Sequence, residues 1–350
     1  MKWAWLFALG ILIMVPSAPA VPGRPAKKAQ ANAPRLSPKV RKAIQAGVHY
    51  LLVQQKTDGS WEIDDFSIRR RGGWTALTLL ALLNAGVSPE DRSAKKGLAW
   101  LRSVEPTMVC VRSLQTMVFV AAGQKADKVR IQRNVDWLLK ARVYDDVRAL
   151  QGWSYTLARQ PPDNSNSSFA VLALFAAHQA GAKVPEKVWQ EIRSLYLRTQ
   201  QMNGGWGYAE HHNKMSLLTM DTAGLCGLLI GGKGLKMPPD IQTKNGKAIL
   251  VGKKKPIKPV RKALALIGGG HYAIALNNRI YYNLYGLSQL GRLSGLHFFG
   301  NNQWYKDGCN FLLKEQDRQT GCWPAQGEMF DQWPVVNTSF ALLFLASPPK

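Results

Sequence analysis

Asp221 is the residue of this chain whose type and position most directly suggest catalysis. It immediately precedes Thr222-Ala223 and stands where a helix rich in Ala and Leu is predicted to begin. A carboxyl group in such a position can protonate a bound substrate as a general acid. It can also cap the helix by accepting hydrogen bonds from the first backbone N–H groups. The sequence favours the cap and leaves the catalytic role open.

Cysteine and histidine are the other residues that could do chemistry. The four cysteines are Cys110, Cys226, Cys309 and Cys322, and an even number suits an exported chain. Cys309 and Cys322 flank one turn and are predicted as a possible disulfide, although spacing alone cannot establish the bonding geometry. The histidines are scattered: the adjacent pair His211-His212 would point about 100° apart on a helix, and His271 is a candidate donor at a cavity rim. We predict no metal site and no cofactor.

These residues lie within a repeat that recurs along the chain. One unit is an apolar helix ending in Gln, followed by a turn and Gly-x-Trp, and it is complete in residues 47–61. Copies follow at 196–206 and 306–323, and worn copies lie near 96–105 and 137–153. The Gln amide can bond carbonyls at the helix end and reach the next unit, while the Trp covers apolar area. The predicted structural residues are Gln55, Trp61, Trp153, Gln200, Trp206, Gln316 and Trp323.

A second type of helix alternates with these units and carries almost no charge. A helix that is apolar all round is buried, whereas the first type bears Arg and Lys and can face water. Six such pairs that close on each other predict an all-α fold, a single (α/α)6 toroid, with a flat solenoid as the alternative. The predicted buried helices are Thr75 to Ala85, Leu114 to Ala122, Ser168 to Ala180, Thr222 to Ile230, Tyr281 to Leu290 and Ser339 to Ala346.

Start and stop signals accompany these buried helices. The predicted N-caps are Asp221-Thr222, Ser168 and Thr338-Ser339. The predicted C-terminal stops are Gly86, Gly123, Gly181 and Gly291.

The pattern Gly-x-x-aromatic-Leu-x-x-x-Gln-x-x-x-Gly-x-Trp, met in full by residues 47–61, resembles the repeat of a known superfamily. It is the repeat of squalene-hopene cyclases, oxidosqualene cyclases and protein prenyltransferase beta subunits. The resemblance covers residues 37–350 and implies an α/α toroid whose inner helices line a central cavity, with their N-termini near its mouth. Related single toroids include the thioester domain of complement proteins. Because the superfamily contains enzymes and non-enzymes, the fold alone does not assign a function.

The catalytic signatures of this superfamily are incomplete here. The cyclase Asp-x-Asp-Asp motif falls on residues 218–221, where only Asp221 is acidic, and residues 62–65 resemble the motif at another place. The prenyltransferase zinc site would use Asp221, but Ala223 and Tyr282 replace its Cys and His; Cys226 is a possible substitute ligand. No Gly-Cys-Gly-Glu-Gln string occurs. The sequence therefore does not decide whether the protein is an enzyme.

The starts of the inner helices converge if the ring closes, and there the resemblance implies a ligand cavity. Its lining could hold an isoprenoid, another lipid tail or an apolar peptide segment. The alternative is that the same residues simply fill the ring centre. The predicted lining residues are Trp74, Phe169, Asp221, Tyr281, Tyr282 and Asn337.

The N-terminus predicts export. Residues 1–20 have a basic start, an apolar run too short to span a bilayer and small residues at 18–20, as in a cleaved signal peptide; an uncleaved anchor is the alternative. A basic Pro/Ala-rich linker follows at 21–36. We therefore expect an extracytoplasmic protein, periplasmic or secreted, without a transmembrane span after signal cleavage.

The formal charge of +24 excludes an acidic protein and is concentrated in places. Residues 231–262 carry ten Lys and Arg against Asp240 alone. This basic insertion could dock on an anionic surface, or it could be a solvated loop that aids solubility. Nucleic acid is a poor partner, because the basic run lacks aromatic residues for base stacking and the chain carries an export signal.

Three functions remain open. The leading one is a non-catalytic exported toroid that binds a protein or an anionic envelope component through its central cavity and basic insertion. The second is an enzyme of isoprenoid chemistry with an atypical site around Asp221. The third is a carrier of an isoprenoid or other lipid.

Overall fold

In the computed structural model, the described residues lie in the second of two units, Ala33–Lys350. The predicted signal peptide at 1–20 and the linker up to residue 35 lie outside the described residues and stay predictions. The described residues are 36–63, 70–158, 160–209, 216–250, 252, 255–270, 272, 279–325 and 332–349.

Within these ranges the second unit contains twelve α-helices and two short β-hairpins. The helices are α1 (Pro38–Val53), α2 (Gly73–Asn84), α3 (Arg92–Arg102), α4 (Val109–Ala122), α5 (Lys128–Lys140), α6 (Asn164–Gln179), α7 (Glu186–Arg198), α8 (Leu218–Gly234), α9 (Lys258–Gly268), α10 (Ile280–Ser294), α11 (Trp304–Glu315) and α12 (Pro334–Leu345). The hairpins pair β1 (Arg142–Tyr144) with β2 (Leu150–Trp153) and β3 (Thr243–Lys244) with β4 (Lys247–Ala248), both antiparallel.

The even-numbered helices form a closed inner ring. Each packs against the next from α2 to α12, and α12 packs back against α2. The odd-numbered helices lie outside this ring, and α1 contacts both α11 and α12. A flat solenoid would leave its first and last repeats apart, so the closing contacts exclude it. The predicted all-α (α/α)6 toroid is confirmed.

Burial separates the two helix layers as their composition predicts. In α8 every residue from Leu218 to Gly232 is buried. In the outer helix α3 the buried residues are only those of one stripe: Ala94, Gly97, Leu98 and Leu101. A helix without a polar face must be covered on all sides, and the inner ring supplies that cover.

The inner helices begin earlier than predicted, so the predicted N-caps are wrong. Helix α8 begins at Leu218, α6 at Asn164 after the N-cap Asp163, and α12 at Pro334. Asp221 and Thr338 consequently lie inside their helices rather than at the caps. Their side chains accept hydrogen bonds from other segments, which explains why polar residues occur in these buried turns.

The predicted glycine stops are correct in three cases and wrong in one. Gly123 ends α4 with φ +63°, and Gly86 and Gly181 follow the ends of α2 and α6 with positive φ. Gly291 lies inside α10, where a Cβ atom would approach the Trp304 ring to 2.4 Å. Gly291 lets the Trp304 ring pack closely against α10, and the C-cap of α10 is Gly295 instead.

Three Gln side chains join neighbouring outer helices in the same way. Each Nε2 donates to a carbonyl of its own turn and to a carbonyl near the start of another outer helix. Gln55 reaches Ser93 O at 2.9 Å, Gln200 reaches Pro259 O at 2.9 Å, and Gln316 reaches Ala43 O at 2.9 Å. The last of these bonds links the end of α11 to α1 and closes the outer layer.

The Trp residues of the repeat are buried under these turns. The Nε1 atoms of Trp61, Trp153, Trp206 and Trp323 donate to carbonyls at Leu51, Leu138, Tyr196 and Leu312, at 2.6 to 3.0 Å. All four rings are at most 1% exposed. Each joint therefore buries one large ring and satisfies its donor.

The unit of α3 and α4 lacks the Trp and is joined from the inner helix. Gln115 Nε2 donates to Leu101 O at 3.0 Å and to Val104 O at 2.9 Å, and Asn134 Nδ2 donates to Gln115 Oε1 at 2.9 Å. In the worn repeat copy that ends near residue 105, these bonds take the place of those that Gln and Trp make in the complete copies.

The predicted disulfide is wrong. Cys309 and Cys322 are both free and buried, as is Cys226, while Cys110 is a free, partly buried thiol. Cys309 contacts Tyr305 one helical turn earlier, whereas Cys322 accepts a hydrogen bond from Thr320 and lies near Tyr50. The two thiols are thus held by different neighbours.

In the predicted basic insertion, a hairpin of β3 and β4 lies between α8 and α9. His297 N donates to Gly246 O at 2.8 Å, which fixes the hairpin turn to the segment after α10. Among the described residues, no helix has the length and apolar character needed to cross a membrane.

Candidate functional site

Aromatic side chains of the inner helices α6, α10 and α12 contact one another inside the ring. Phe169 stacks on Tyr282 with ring centroids 6.0 Å apart, and Tyr285 and Phe340 complete the cluster. The space left beside them, next to Ser168 and the middle of α8, has a volume of about 10 Å³. This is roughly the room of one water molecule. This pocket is too small for an isoprenoid.

The six predicted lining residues do not meet in one cavity. Phe169 and Tyr282 lie in the central cluster, and Trp74 packs edge-on against Trp333 with centroids 4.8 Å apart. Asp221, Tyr281 and Asn337 are fully buried, and Asn337 Nδ2 donates to Pro324 O at 2.9 Å. The filled-centre alternative fits this arrangement.

Asp221 acts as the acceptor of a repeat joint. Its Oδ1 accepts the backbone N–H of Trp206 at 2.8 Å. In the other three Trp joints a hydroxyl accepts the same bond at 2.9 to 3.1 Å: Thr75 for Trp61, Ser167 for Trp153 and Thr338 for Trp323. The position of Asp221 is thus explained by structure without a catalytic role.

The other predicted candidates offer no assembled site. Glu62 is buried and its Oε1 accepts from Thr75 N and Oγ1, while Asp64 and Asp65 lie outside the described residues. His211, His212 and His271 also lie outside them. Across the described ranges, no three His, Cys, Asp or Glu side chains are grouped as a metal site would require.

Asp163, which sequence reasoning missed, lies at the start of the inner helix α6. Its Oδ1 accepts from Asn166 N and its Oδ2 from Asn166 Nδ2, both at 2.8 Å. Burial raises the pKa of this carboxyl above its usual range, and the bonds from Asn166 oppose the rise. The signal was the sequence Pro161-Pro162-Asp163, since an Asp before a helix is a strong N-cap.

A polar rim surrounds Asp163. The hydroxyls of Tyr155 and Tyr208 are hydrogen-bonded at 2.7 Å, and Asn164 N donates to Tyr208 O at 2.8 Å. Ser165 Oγ lies 3.3 Å from the hydroxyl of Tyr282, which belongs to the central cluster. The contact between Ser165 and Tyr282 thus links this rim to the central aromatic cluster.

A groove of about 1090 Å³ opens beside this rim. It lies between the end of α7, the turn that follows it and the segment that leads into α6. Its polar lining includes Asp145, Gln151, Asp163, Asn164, Arg198, Gln201 and Asn203. Its apolar lining includes Pro161, Pro162, Leu195, Met202 and Tyr208. The groove is as large as the clefts in which proteins bind small ligands.

Comparison with known proteins identifies the fold. Neither a family model nor a curated protein matches the sequence. Solved structures do match over 88% of this chain. A variant of the type II terpene cyclase MstE from Scytonema, in complex with geranylgeranyl dihydroxybenzoate, aligns over 96% of its own chain with a TM-score of 0.52 and 11% identity.

A second enzyme class shows the same architecture. The GH76A alpha-1,6-mannanase of Salegentibacter sp. HEL1_6 aligns over 98% of its chain with a TM-score of 0.54 and 9% identity. Its inactive variant in complex with alpha-1,6-mannotriose gives a TM-score of 0.53 and 10% identity over 98% of that chain. The protein therefore has the (α/α)6 toroid fold, which these two neighbours show in enzymes of unrelated chemistry.

Proposed function

We propose that this protein is an exported, non-catalytic toroid that binds an extended polar ligand in the groove beside Asp163. The observation that carries the proposal is an open groove of about 1090 Å³ with polar and apolar lining, which is large enough for a ligand. The pocket beside the aromatic cluster, at about 10 Å³, has room for one water molecule only. Export rests on the sequence of residues 1–20 alone.

The ligand class that the lining fits best is an oligosaccharide of the envelope. The side chains of Asp, Asn, Gln and Arg present planar, paired hydrogen-bonding groups that suit vicinal hydroxyls. Tyr208 and Met202 add apolar surface against which a sugar face can pack; Met202 is 94% exposed. The toroid of the mannanase was solved with a mannotriose, which gives a practical first probe.

A hydrolytic role for the groove is the second candidate, and Asp163 is the observation in its favour. A buried carboxyl with a raised pKa is the form that a general acid takes. Glycoside hydrolysis also requires a second carboxyl group. In the lining that carboxyl is Asp145, whose oxygens accept three bonds, from Val147 N, Ala149 N and Gln151 Nε2, within its own turn. Binding without turnover is therefore the better supported function.

Titration calorimetry with α-1,6-mannotriose and a panel of neutral and acidic oligosaccharides tests the proposal. We expect one of them to bind and Gln201→Ala to weaken it about five- to tenfold, as loss of one hydrogen bond does. Val129→Ala, a change at an exposed residue of α5, is the control. Chromatography of the same mixtures tests turnover. Binding with products that vanish in Asp163→Asn would favour the hydrolase; no binding by any sugar would refute the groove as a glycan site.

A further inference from the structure

The segment between α8 and α9 carries a surface unlike the rest of the molecule. Four of its lysines, and three more at the adjoining ends of α8 and α9, are exposed in the structure. They are Lys233, Lys236, Lys244, Lys247, Lys255, Lys258 and Lys262. Among the described residues, no carboxylate lies within ion-pair distance of any of them, in contrast to several Arg and Lys of the outer helices.

The only acid of this segment is turned inward. Asp240 forms a bidentate ion pair with Arg193 of α7, with Oδ1 to Nη2 at 2.7 Å and Oδ2 to Nη1 at 2.8 Å. The Asp240 side chain is 7% exposed. Its charge is thus neutralised by an outer helix, and the positive charge of the exposed lysines is left uncompensated within the segment.

Large apolar side chains are exposed among these lysines. Met237 is 43% exposed, Leu250 49% and Ile257 42%. They flank the β3–β4 hairpin, which is held in place by the bond from His297 N to Gly246 O and by Lys247, whose Nζ lies 4.9 Å from the centroid of the Phe298 ring. A solvated loop that served only solubility would gain nothing from exposing three such residues.

We propose that this segment, through its exposed lysines and Met237, Leu250 and Ile257, docks the protein on an anionic phospholipid surface. Charge alone fits any polyanion, but lysines mixed with exposed apolar side chains fit the interface of a bilayer. There the lysines bind phosphate groups and the apolar side chains enter the region beneath the headgroups. This docking needs neither sugar binding nor catalysis, although Lys262 Nζ donates to the carbonyl of Met202 in the groove lining at 3.0 Å.

Co-sedimentation of the full chain with vesicles tests the proposal. We expect binding to vesicles that contain phosphatidylglycerol and none to vesicles of phosphatidylcholine alone. The double variant Lys236→Glu/Lys244→Glu should weaken binding at least tenfold, because each lysine near an anionic surface contributes about fivefold. The matched control is Lys125→Glu/Lys128→Glu at the start of α5, which makes the same charge change at two other exposed lysines.

The apolar residues separate a bilayer from other polyanions. Met237→Ser/Leu250→Ser/Ile257→Ser should weaken vesicle binding, most clearly in high salt where the charges are screened, and leave retention on heparin unchanged. Val129→Ser, at a residue 79% exposed, is the matched control. Circular dichroism shows whether each variant is folded. Equal loss in test and control variants, or vesicle binding insensitive to the apolar changes, would overturn the proposal.

Discussion

At four joints between neighbouring repeats, the backbone N–H of a buried Trp donates to a side chain of the following inner helix. The geometry is the same at all four, but the accepting group is of two kinds. In three of them a Thr or Ser hydroxyl accepts the backbone N–H of the Trp, and in the fourth the Asp221 carboxylate does so at 2.8 Å. A carboxylate at the position of a family's catalytic motif can thus be held by the same bond that a hydroxyl makes elsewhere in the chain. The comparison teaches that position within a motif does not by itself identify a proton donor.

The largest effect on stability should come from removing the indole ring of one of these tryptophans. Trp206→Ala and Trp61→Ala should each lower the free energy of unfolding by about 3–5 kcal/mol, because both rings are fully buried. Urea denaturation measures this, with the partly exposed Trp100→Ala as control. A much smaller cost at Trp206 would show that the Asp221 joint is not equivalent to the others.

Removing the carboxylate should have the next largest effect. Asp221→Ala leaves the buried N–H of Trp206 without its acceptor and should cost about 1–3 kcal/mol. Asp221→Ser should recover part of that loss, because a serine hydroxyl accepts the equivalent bond at Ser167. An Ala variant as stable as the wild type would contradict the joint role of Asp221.

A hydroxyl joint should respond similarly but more weakly. Thr338→Val keeps the shape of the side chain and removes the acceptor of the Trp323 N–H, at a cost of about 1 kcal/mol. Thermal denaturation of Thr338→Val beside Thr338→Ser measures it. If both variants lose the same stability, the bond from Trp323 N–H to the Thr338 hydroxyl does not explain the loss.

The smallest effect concerns pH at the Trp61 joint. Glu62 accepts from Thr75 N and Oγ1, and burial raises the pKa of the Glu62 carboxyl. Because its folded-state pKa is raised, its stabilising contribution is full below the unfolded pKa and is lost as pH rises through the folded pKa. Glu62→Gln should therefore gain stability relative to the wild type as pH rises from mildly acidic to neutral.

The stability difference between Glu62→Gln and the wild type, followed across that pH range, is the measurement. Other groups titrate in both proteins and cancel in the difference. A difference that stays constant with pH would show that Glu62 does not titrate with folding.

The fold could be predicted from the sequence because its signals are local and repeated. The Gln and Trp recur six or seven residues apart, as in Gln55 and Trp61, and the charge-free helices between the copies identify the buried layer. The helix starts were misplaced because Asp221 and Thr338 look like caps, whereas their side chains bond segments 15 residues earlier. No local pattern distinguishes these two uses of a polar side chain.

The candidate site was harder to predict because it depends on how far the ring closes. Tyr282, Tyr285 and Phe340 lie on two different helices, and only their packing shows that they contact one another inside the ring. The groove beside Asp163 is formed by the end of α7 and the start of α6, and its volume follows from loops rather than from a repeat. Sequence spacing carries no information about such a space.

The bond from Gln316 to Ala43 joins residues 273 positions apart, yet it matches the bond from Gln55 to Ser93, which spans only 38. Until α11 and α12 have been synthesised, α1 and α2 therefore lack the helices that pack against them on one side. Every other helix pair follows, in the sequence, a pair against which it packs. Ring closure must be a late event in folding, since its loop is nearly the whole domain. During biosynthesis the apolar edge of the first helix pair is therefore exposed for longer than that of any later pair.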